Sequence, residues 1–188
     1  MITPNQFKKG LKVEINDEPF SIIDYQHTKK GRGGATVTAR LKSLVTGNVL
    51  EMTFKSDEKI EIPDFEEKKM QYLYKDGSHY YFMDNESYEQ VIIDQDVLGE
   101  DIKYLVENAV TTVQVYKGEV VGVLLPNFIE VEISETNPGF KGDTVTGSTK
   151  PAKIISGATV YVPLFINEGD VIKIDTRSGE YIERVKSV

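Results

Sequence analysis

The sequence contains no cysteine and no tryptophan, and only two of its 188 residues are histidines. The absence of cysteine excludes disulfides, a thiolate nucleophile and cysteine-based metal sites. The histidines, His27 and His79, do not have the spacing of a metal-ligand pair. No apolar run is long enough to span a membrane, and the first ten residues lack the apolar segment of a signal peptide. The simplest interpretation is a cytoplasmic protein without a membrane partner.

Motifs for catalysis are missing as well. A catalytic site needs a nucleophile with its base, an acid–base pair, a metal or a cofactor loop. The segment Gly31-Arg32-Gly33-Gly34 lacks the spacing of a nucleotide-binding loop, and no helical pattern follows it. Gly142-Asp143-Thr144 lacks the continuation of a metal-binding loop. We therefore expect no enzymatic activity, no cofactor and no bound metal.

The net charge of −8 is unevenly distributed. Residues 1–63 hold 10 Lys/Arg against 8 Asp/Glu, residues 64–127 hold 5 against 13, and residues 128–188 hold 7 against 9. An acidic total is not typical of a nucleic-acid binder, yet basic residues outnumber acidic ones eight to four within residues 1–43. The acidic middle either repels nucleic acid from one face or is a solvated surface without a partner.

Short alternating apolar runs dominate the chain and predict an all-β protein. We expect three domains, 1–63, 64–127 and 128–188, the first of the SH3-like kind and the others five-stranded partly open barrels of the OB type. Turns are predicted at Asn16-Asp17-Glu18-Pro19, Asp76-Gly77 and Lys117-Gly118. One helix is predicted over Leu98–Asn108, where Ile102, Leu105 and Val106 have helical spacing.

Four aromatic residues cluster with a methionine in the middle third: Met70, Tyr72, Tyr74, Tyr80 and Phe82. Spaced in this way along strands, such residues are typical of a core. Stacking on RNA bases is the alternative interpretation.

A cationic segment, Lys29-Lys30-Gly31-Arg32-Gly33-Gly34-Ala35, separates the strand-like runs Phe20–Thr28 and Thr36–Ser43. Its glycines allow a tight reversal, so a β-hairpin with a cationic tip is predicted. Arg32 lies between glycines, and its guanidinium suits phosphate or a planar base. A solvated turn without a partner is the alternative. A second candidate is the long polar loop Asn137–Gly147, because loops of this length in compact domains are usually functional.

Several longer motifs resemble bacterial translation elongation factor P. The resemblance extends from end to end of the chain and rests on Gln26-His27 with the Gly-rich tip, Leu41-Lys42 to Thr46-Gly47, Gln71-Tyr72-Leu73-Tyr74, Phe82-Met83-Asp84, Asn137-Pro138-Gly139 with Gly142-Asp143-Thr144, the run from Lys150 to Gly169, and the run from Asp175 to Tyr181.

The resemblance implies a KOW/SH3-like domain followed by two OB-type domains in an L-shaped arrangement similar to tRNA. It implies a monomeric factor that binds the ribosome and its rRNA beside peptidyl-tRNA, between the peptidyl and exit sites. Such a factor promotes peptide-bond formation when translation stalls at consecutive prolines. A general RNA-binding β-barrel module without a role in peptidyl transfer is the alternative.

The resemblance also implies residue roles. Arg32 is the functional tip residue, and Lys29, Lys30, Gly31, Gly33 and Gly34 shape the tip and contact the tRNA. The loop at Gly142, Asp143 and Thr144 faces the small subunit and messenger RNA. Further RNA contacts are expected at Lys141, Lys150, Arg177, Tyr181 and Arg184.

One feature departs from the common family pattern. Many members carry Pro-Gly-Lys-Gly at the tip and modify that lysine, whereas this chain has Lys30-Gly31-Arg32-Gly33. Some members with arginine at the tip attach rhamnose to it. We therefore expect Arg32 to act either bare or glycosylated, the latter requiring a modification enzyme as a further partner.

Overall fold

A computed structural model of the chain describes residues 1–30, 34–138 and 149–187. These ranges form three β-sheets, one short α-helix and two 3₁₀ turns, Pro4–Gln6 and Glu100–Tyr104. The prediction of an all-β protein with three small β domains is confirmed. Within the same ranges, no helix is long and apolar enough to cross a membrane.

The first sheet has four strands in the order β1-β2-β3-β4. They are β1 (Lys12–Ile15), β2 (Glu18–Lys30), β3 (Gly34–Ser43) and β4 (Val49–Lys55). Asn16 and Asp17 connect β1 to β2 with φ of 52° and 61°, as in the two-residue turn that matches strand twist. The sequence predicts that Pro19 belongs to this turn. It lies instead inside β2, where it pairs with Glu14 of β1.

One apolar core fills the first domain. Its members are buried to 4% exposure or less: Phe7, Val13, Phe20, Ile22, Val37, Ala39, Leu41, Phe54 and Ile60. Two isolated bridges, Ile2–Ile60 and Glu14–Glu61, join the segment after β4 to the start of the domain. Residues of β3 alternate between buried and more exposed positions. This alternation fixes which face of the hairpin packs against the core.

The second sheet has five strands in the order β7-β6-β5-β8-β9. They are β5 (Phe65–Asp76), β6 (His79–Asp84), β7 (Gln90–Asp94), β8 (Val110–Tyr116) and β9 (Glu119–Leu124). Met70, Tyr72, Tyr80 and Phe82 are buried, which confirms them as core. Tyr74 is 46% exposed and stacks on Tyr81, with ring centroids 4.5 Å apart. The register shift between Tyr72 and Tyr74 explains this difference, because one extra residue moves the following side chain to the other face.

The helix predicted over Leu98–Asn108 is wrong. The chain instead forms α1 (Gln95–Leu98), followed by the 3₁₀ turn and an extended Leu105. Gly99, at φ 67°, separates the two short elements. Tyr104 and Val106 pack against the core of the third sheet. Apolar residues here turn toward different neighbours, so their helical spacing did not indicate one helix face.

The third sheet has five strands in the order β12-β11-β10-β13-β14. They are β10 (Phe128–Thr136), β11 (Thr149–Ile154), β12 (Thr159–Pro163), β13 (Val171–Asp175) and β14 (Glu180–Lys186). Inward residues alternate along these strands and are nearly fully buried, including Ile133, Ile154, Val162, Ile172 and Ile174.

Contacts between residues divide the chain into two compact units. One unit is Met1–Glu67 with Gln114–Val121, and the other is Lys68–Val113 with Gly122–Val188. The turn between β8 and β9 thus belongs to the first unit. The domain boundaries expected after residues 63 and 127 stay a prediction.

Candidate nucleic-acid interface

The hairpin of β2 and β3 presents the predicted cationic tip. Cross-strand pairs run from Phe20–Ser43 to Lys30–Gly34. Gly34 has φ 79°, a conformation that glycine adopts without a Cβ penalty. Gly31, Arg32 and Gly33 themselves lie outside the described residues. Their predicted roles stay predictions, and so does the arginine-tip subtype.

The hairpin is supported along most of its length. Strand β4 accompanies β3 as far as the pair Thr36–Lys55, and the Ser56 amide donates to the Ala35 carbonyl at 3.1 Å. The pairs Lys29–Ala35 and Lys30–Gly34 extend the hairpin further. Since Val37, in this part of β3, is completely buried, the tip is carried on strands that the core holds in place.

A bulge re-aims the outer part of β2. The register shifts between Ile22 and Asp24, which leaves Ile23 as the extra residue. Ile22 is buried, whereas Ile23 is 39% exposed. Beyond the bulge, Tyr25 and His27 pair with Ala39 and Val37. Their rings meet edge to face with centroids 5.6 Å apart, so His27 packs on a neighbouring aromatic residue.

Charges near the base of the hairpin have partners within the domain. The Lys9 ammonium lies 2.9 Å from Asp24, and its hydrogen bond lowers the pKa of Asp24. Arg40 pairs in register with Asp24 on one side and Glu51 on the other. At these positions of the base of the hairpin, each basic residue therefore lies beside an acidic one.

In the third domain, Arg177 is committed to a neighbouring carboxylate. Its guanidinium donates two hydrogen bonds to Asp175, at 2.9 and 2.5 Å. This contact lowers the pKa of Asp175 to about 2 and raises that of Arg177. The Arg177 side chain is nevertheless 64% exposed, so its contact with RNA stays a prediction and would compete with Asp175.

Replacing Arg177 with methionine should raise the pKa of Asp175 toward the ordinary value of about 3.9. The return should be incomplete, because the backbone amides of Arg177 and Ser178 also donate to this carboxylate. A folded pKa below the unfolded one stabilises the fold above about pH 4, and this contribution is lost as pH falls toward 2. Carboxyl carbon NMR titration of both proteins measures the shift; identical Asp175 titrations would contradict the contact.

The other expected RNA contacts of the third domain occupy different environments. Lys150 is 6% exposed and its ammonium donates to the Asn137 carbonyl at 2.6 Å, which favours a role in holding β11. Arg184 lies 3.5 Å from Asp170, with its guanidinium 5.2 Å from the Phe165 ring centre. Tyr181 is half-buried against the core. Their contacts with RNA stay predictions.

The loop candidates were Lys141, Gly142, Asp143 and Thr144. They lie outside the described residues, as does most of the Asn137–Gly147 loop, and their predicted roles stay predictions. Elsewhere in the described ranges, no cluster of three or more His, Asp or Glu could hold a metal ion.

Sequence reasoning missed the contact between Tyr104 and Gly179. A Cβ at Gly179 would overlap the Tyr104 hydroxyl, and the glycine has φ 72°. Tyr104 is 7% exposed and belongs to the core of the third sheet. The backbone carbonyl of Lys103, the residue before Tyr104, accepts a hydrogen bond from the Ser156 hydroxyl. The sequence signal is the run from Asp175 to Tyr181, which contributes to the resemblance but does not indicate a contact of Gly179.

The variant Gly179→Ala should therefore destabilise the protein more than Gly157→Ala. Both glycines have positive φ, at 72° and 89°, but Gly157 has open space where a Cβ would lie. Backbone strain alone costs roughly 1–2 kcal/mol, and the overlap with Tyr104 adds about 1–3 kcal/mol. Chemical denaturation measures both costs. Tyr104→Phe should recover part of the loss in Gly179→Ala; equal costs for the two glycines would exclude the overlap.

Family models match all three domains. The elongation factor P KOW-like domain matches residues 3–60, its OB domain residues 65–123, and its C-terminal domain residues 129–184. The elongation factor P of Caldanaerobacter subterraneus subsp. tengcongensis is 51% identical over 185 residues, which cover 98% of this chain and 100% of that protein.

The chain belongs to the elongation factor P family. The elongation factor P of Thermodesulfovibrio yellowstonii is similarly 50% identical over 186 residues, 99% of this chain and 100% of that protein. Membership makes the chain a translation elongation factor with KOW-like and OB domains, as the sequence predicted.

Solved structures support the fold. Translation initiation factor 5A from Methanococcus jannaschii superposes with a TM-score of 0.52 at 22% identity, covering 65% of this chain and 94% of that one. An initiation factor 5A family protein from Naegleria fowleri gives 0.52 at 20% identity, covering 66% and 96%. At identities this low, the similarity to these two structures supports only the fold of this chain.

Proposed function

We propose that this elongation factor P family member binds the ribosome beside peptidyl-tRNA and stimulates peptide-bond formation at consecutive prolines. The observation that carries the proposal is the β2–β3 hairpin. Its cross-strand register continues to Lys30–Gly34, and the buried face of β3 anchors it. A rigid, core-anchored hairpin suits a factor that must bring one small group to a defined position.

The proposed mechanism is positioning rather than acid–base chemistry. Arg32 contacts phosphate or a base at the acceptor end of peptidyl-tRNA through its planar guanidinium. Lys29, Lys30 and the tip glycines shape the loop and contact the tRNA backbone. Ordering the two reacting ends removes an entropic part of the barrier, and ribosomal RNA remains the catalyst. Proline, a poor partner in peptidyl transfer, benefits most from this ordering. The factor itself is not an enzyme in this account.

The third domain supplies the remaining proposed contacts. The loop at Gly142, Asp143 and Thr144 faces the small subunit and messenger RNA, and Arg177 and Arg184 contribute RNA contacts. The factor acts as a cytoplasmic monomer. Arg32 acts either bare or glycosylated, and an intact mass of the native protein separates the two states. An adduct on Lys29 or Lys30 would contradict both.

A reporter that contains consecutive prolines tests the function. In cells that lack elongation factor P, expression of this chain should restore the synthesis of the Pro-Pro reporter and leave a matched Ala-Ala reporter unchanged. A general RNA-binding module predicts no selective rescue, with RNA affinity that falls as any basic residue is removed. Absence of selective rescue would therefore favour the alternative.

A further inference from the structure

Two tight turns, about a hundred residues apart in sequence, meet within the first compact unit. Asn16 and Asp17 connect β1 to β2, while Lys117 and Gly118 connect β8 to β9, and all four have positive φ. The Lys117 ammonium lies 3.0 Å from a carboxylate oxygen of Glu14 and 3.0 Å from one of Asp17. We call these facing turns, with their contacts, the turn clasp.

Hydrogen bonds to backbone carbonyls hold the turn clasp together in addition to its ion pairs. The Tyr116 hydroxyl donates to the Asp17 carbonyl at 3.0 Å, and the Lys117 amide donates to the Asp64 carbonyl at 2.9 Å. The Lys117 ammonium also lies 5.0 Å from the Tyr116 ring centre. Its hydrogen bonds to Tyr116, Asp17 and Glu14 raise the pKa of Lys117. It therefore stays charged in the clasp.

Glu14 makes the clasp sensitive to loss of Lys117. The Glu14 side chain is only 11% exposed, and its backbone amide donates to the Glu61 carbonyl at 2.9 Å. A carboxylate so shielded from water needs a paired cation, and removing that cation leaves it uncompensated. The 89% exposed Asp17 contributes less, because water screens it.

The clasp is one strand away from the tip hairpin. Glu14 lies in β1, which pairs with β2 over four residues, from Lys12–Ser21 to Ile15–Glu18. Strand β2 runs from Glu18 to Lys30, with the bulge at Ile23 between the clasp and the tip. The position of Glu14, which Lys117 holds, therefore affects the position of β2, the strand that carries the tip, through the hydrogen bonds between β1 and β2.

We propose that Lys117 is a positioning residue, whose clasp on the β1–β2 turn holds the tip hairpin in the direction that peptidyl transfer requires. This inference rests on the proposed function. Without the clasp, the first barrel and its hairpin still fold, because their core does not include Lys117. Because the β1–β2 turn lies at the opposite end of β2 from the tip, a small shift of this turn displaces the tip of the rigid hairpin, which then reaches the reacting ends in a smaller fraction of complexes.

Lys117→Met tests the inference because it removes the charge and keeps the side-chain length. In reconstituted synthesis of a Pro-Pro peptide, the rate at saturating factor should fall roughly 3- to 10-fold, as expected for misplacement of a positioning group. The factor concentration for half-maximal rate should change by less than about 2-fold, because ribosome contacts elsewhere persist. Lys117→Arg, which keeps the charge, should recover most of the rate.

The matched control is Lys153→Met. Lys153 is a comparably exposed lysine that pairs with Glu135 at 2.7 Å in the third domain, and its removal should leave both parameters unchanged. An equal loss in Lys153→Met would show a general charge effect and overturn the inference. So would a purely raised half-maximal concentration in Lys117→Met, which would indicate weaker binding instead.

A second variant approaches the clasp from the other side. Glu14→Gln with Asp17→Asn removes both carboxylate charges at nearly constant shape, and Asn tolerates the positive φ of position 17. It should reproduce the rate loss of Lys117→Met, and adding Lys117→Met to it should cost little more. Additive losses would overturn the inference.

An Arg32→Ala sample in the same experiment separates the two levels of failure. If Arg32→Ala retains full stimulation, the proposed function fails. If Arg32→Ala loses stimulation while Lys117→Met retains the wild-type rate, only the role of Lys117 fails.

Discussion

Arg32→Ala is expected to remove the stimulation of Pro-Pro bond formation, lowering the rate at saturating factor at least about 10-fold, toward the rate without factor. The physical reason is that alanine leaves no cation to order the acceptor end of the tRNA. Synthesis of a short Pro-Pro peptide on purified ribosomes measures the effect. The thermal unfolding midpoint should stay unchanged, because residue 32 lies beyond the last described pair of the hairpin, Lys30–Gly34.

Arg40→Ala is the matched control for that experiment. Arg40 is an exposed arginine of the same hairpin, but it lies between Asp24 and Glu51 in register and should change the rate less than about 2-fold. Arg32→Lys should retain part of the stimulation, since lysine keeps the charge and loses the planar donor geometry. Full activity of Arg32→Ala, or equal losses in both alanine variants, would contradict a special role for the tip.

Shortening the hairpin should be as damaging as removing Arg32. Deleting Thr28 and Lys29 from β2 and Ala35 and Thr36 from β3 removes two cross-strand pairs. The tip then retracts by about 6–7 Å, while its side chains keep their faces because two residues are lost from each strand. Stimulation should fall at least about 10-fold although Arg32 is present, since the contact works only at short range.

Two controls separate reach from composition in the shortened hairpin. Lys29→Ala at full length accounts for the lost lysine and should cost less than the deletion. The buried residues Val37 and Ala39 remain, so the first domain should still unfold cooperatively in denaturant. Full stimulation by the shortened factor would show that hairpin length is irrelevant and would refute the delivery mechanism.

Local pattern was enough to predict the strands. Alternation predicted an all-β protein, and the strand-like runs Phe20–Thr28 and Thr36–Ser43 correspond to β2 and β3. Such features depend on residues that are neighbours in sequence, where periodicity and turn chemistry act directly. For the same reason, the buried aromatic residues Tyr72 and Phe82 could be assigned to a core.

Features that depend on distant residues could not be predicted. The extra residue at Ile23 changes the face of every later β2 position, and alternation alone does not show it. The helical spacing around Ile102 predicted a helix that does not form, because Tyr104 packs into the core of the third sheet. Lys117 was recognised only as a turn residue, since its partners Glu14 and Asp17 are about a hundred positions away.

The candidate nucleic-acid interface could likewise be predicted from the sequence only in part. The tip could be proposed from composition and resemblance, whereas the commitment of Arg177 to Asp175 and the burial of Lys150 required coordinates. A lysine in a polar sequence context is usually solvated. Lys150 departs from this because its ammonium donates to the Asn137 carbonyl beside β11.

The most direct test is photo-crosslinking from position 32. A photoreactive amino acid replaces Arg32, and the factor is bound to ribosomes stalled with a peptidyl-tRNA that ends in proline. The account predicts a crosslink to the acceptor end of that tRNA, with the same probe at Tyr74 giving none there. A crosslink to another component, with the acceptor end untouched, would contradict delivery of the tip to the reacting ends.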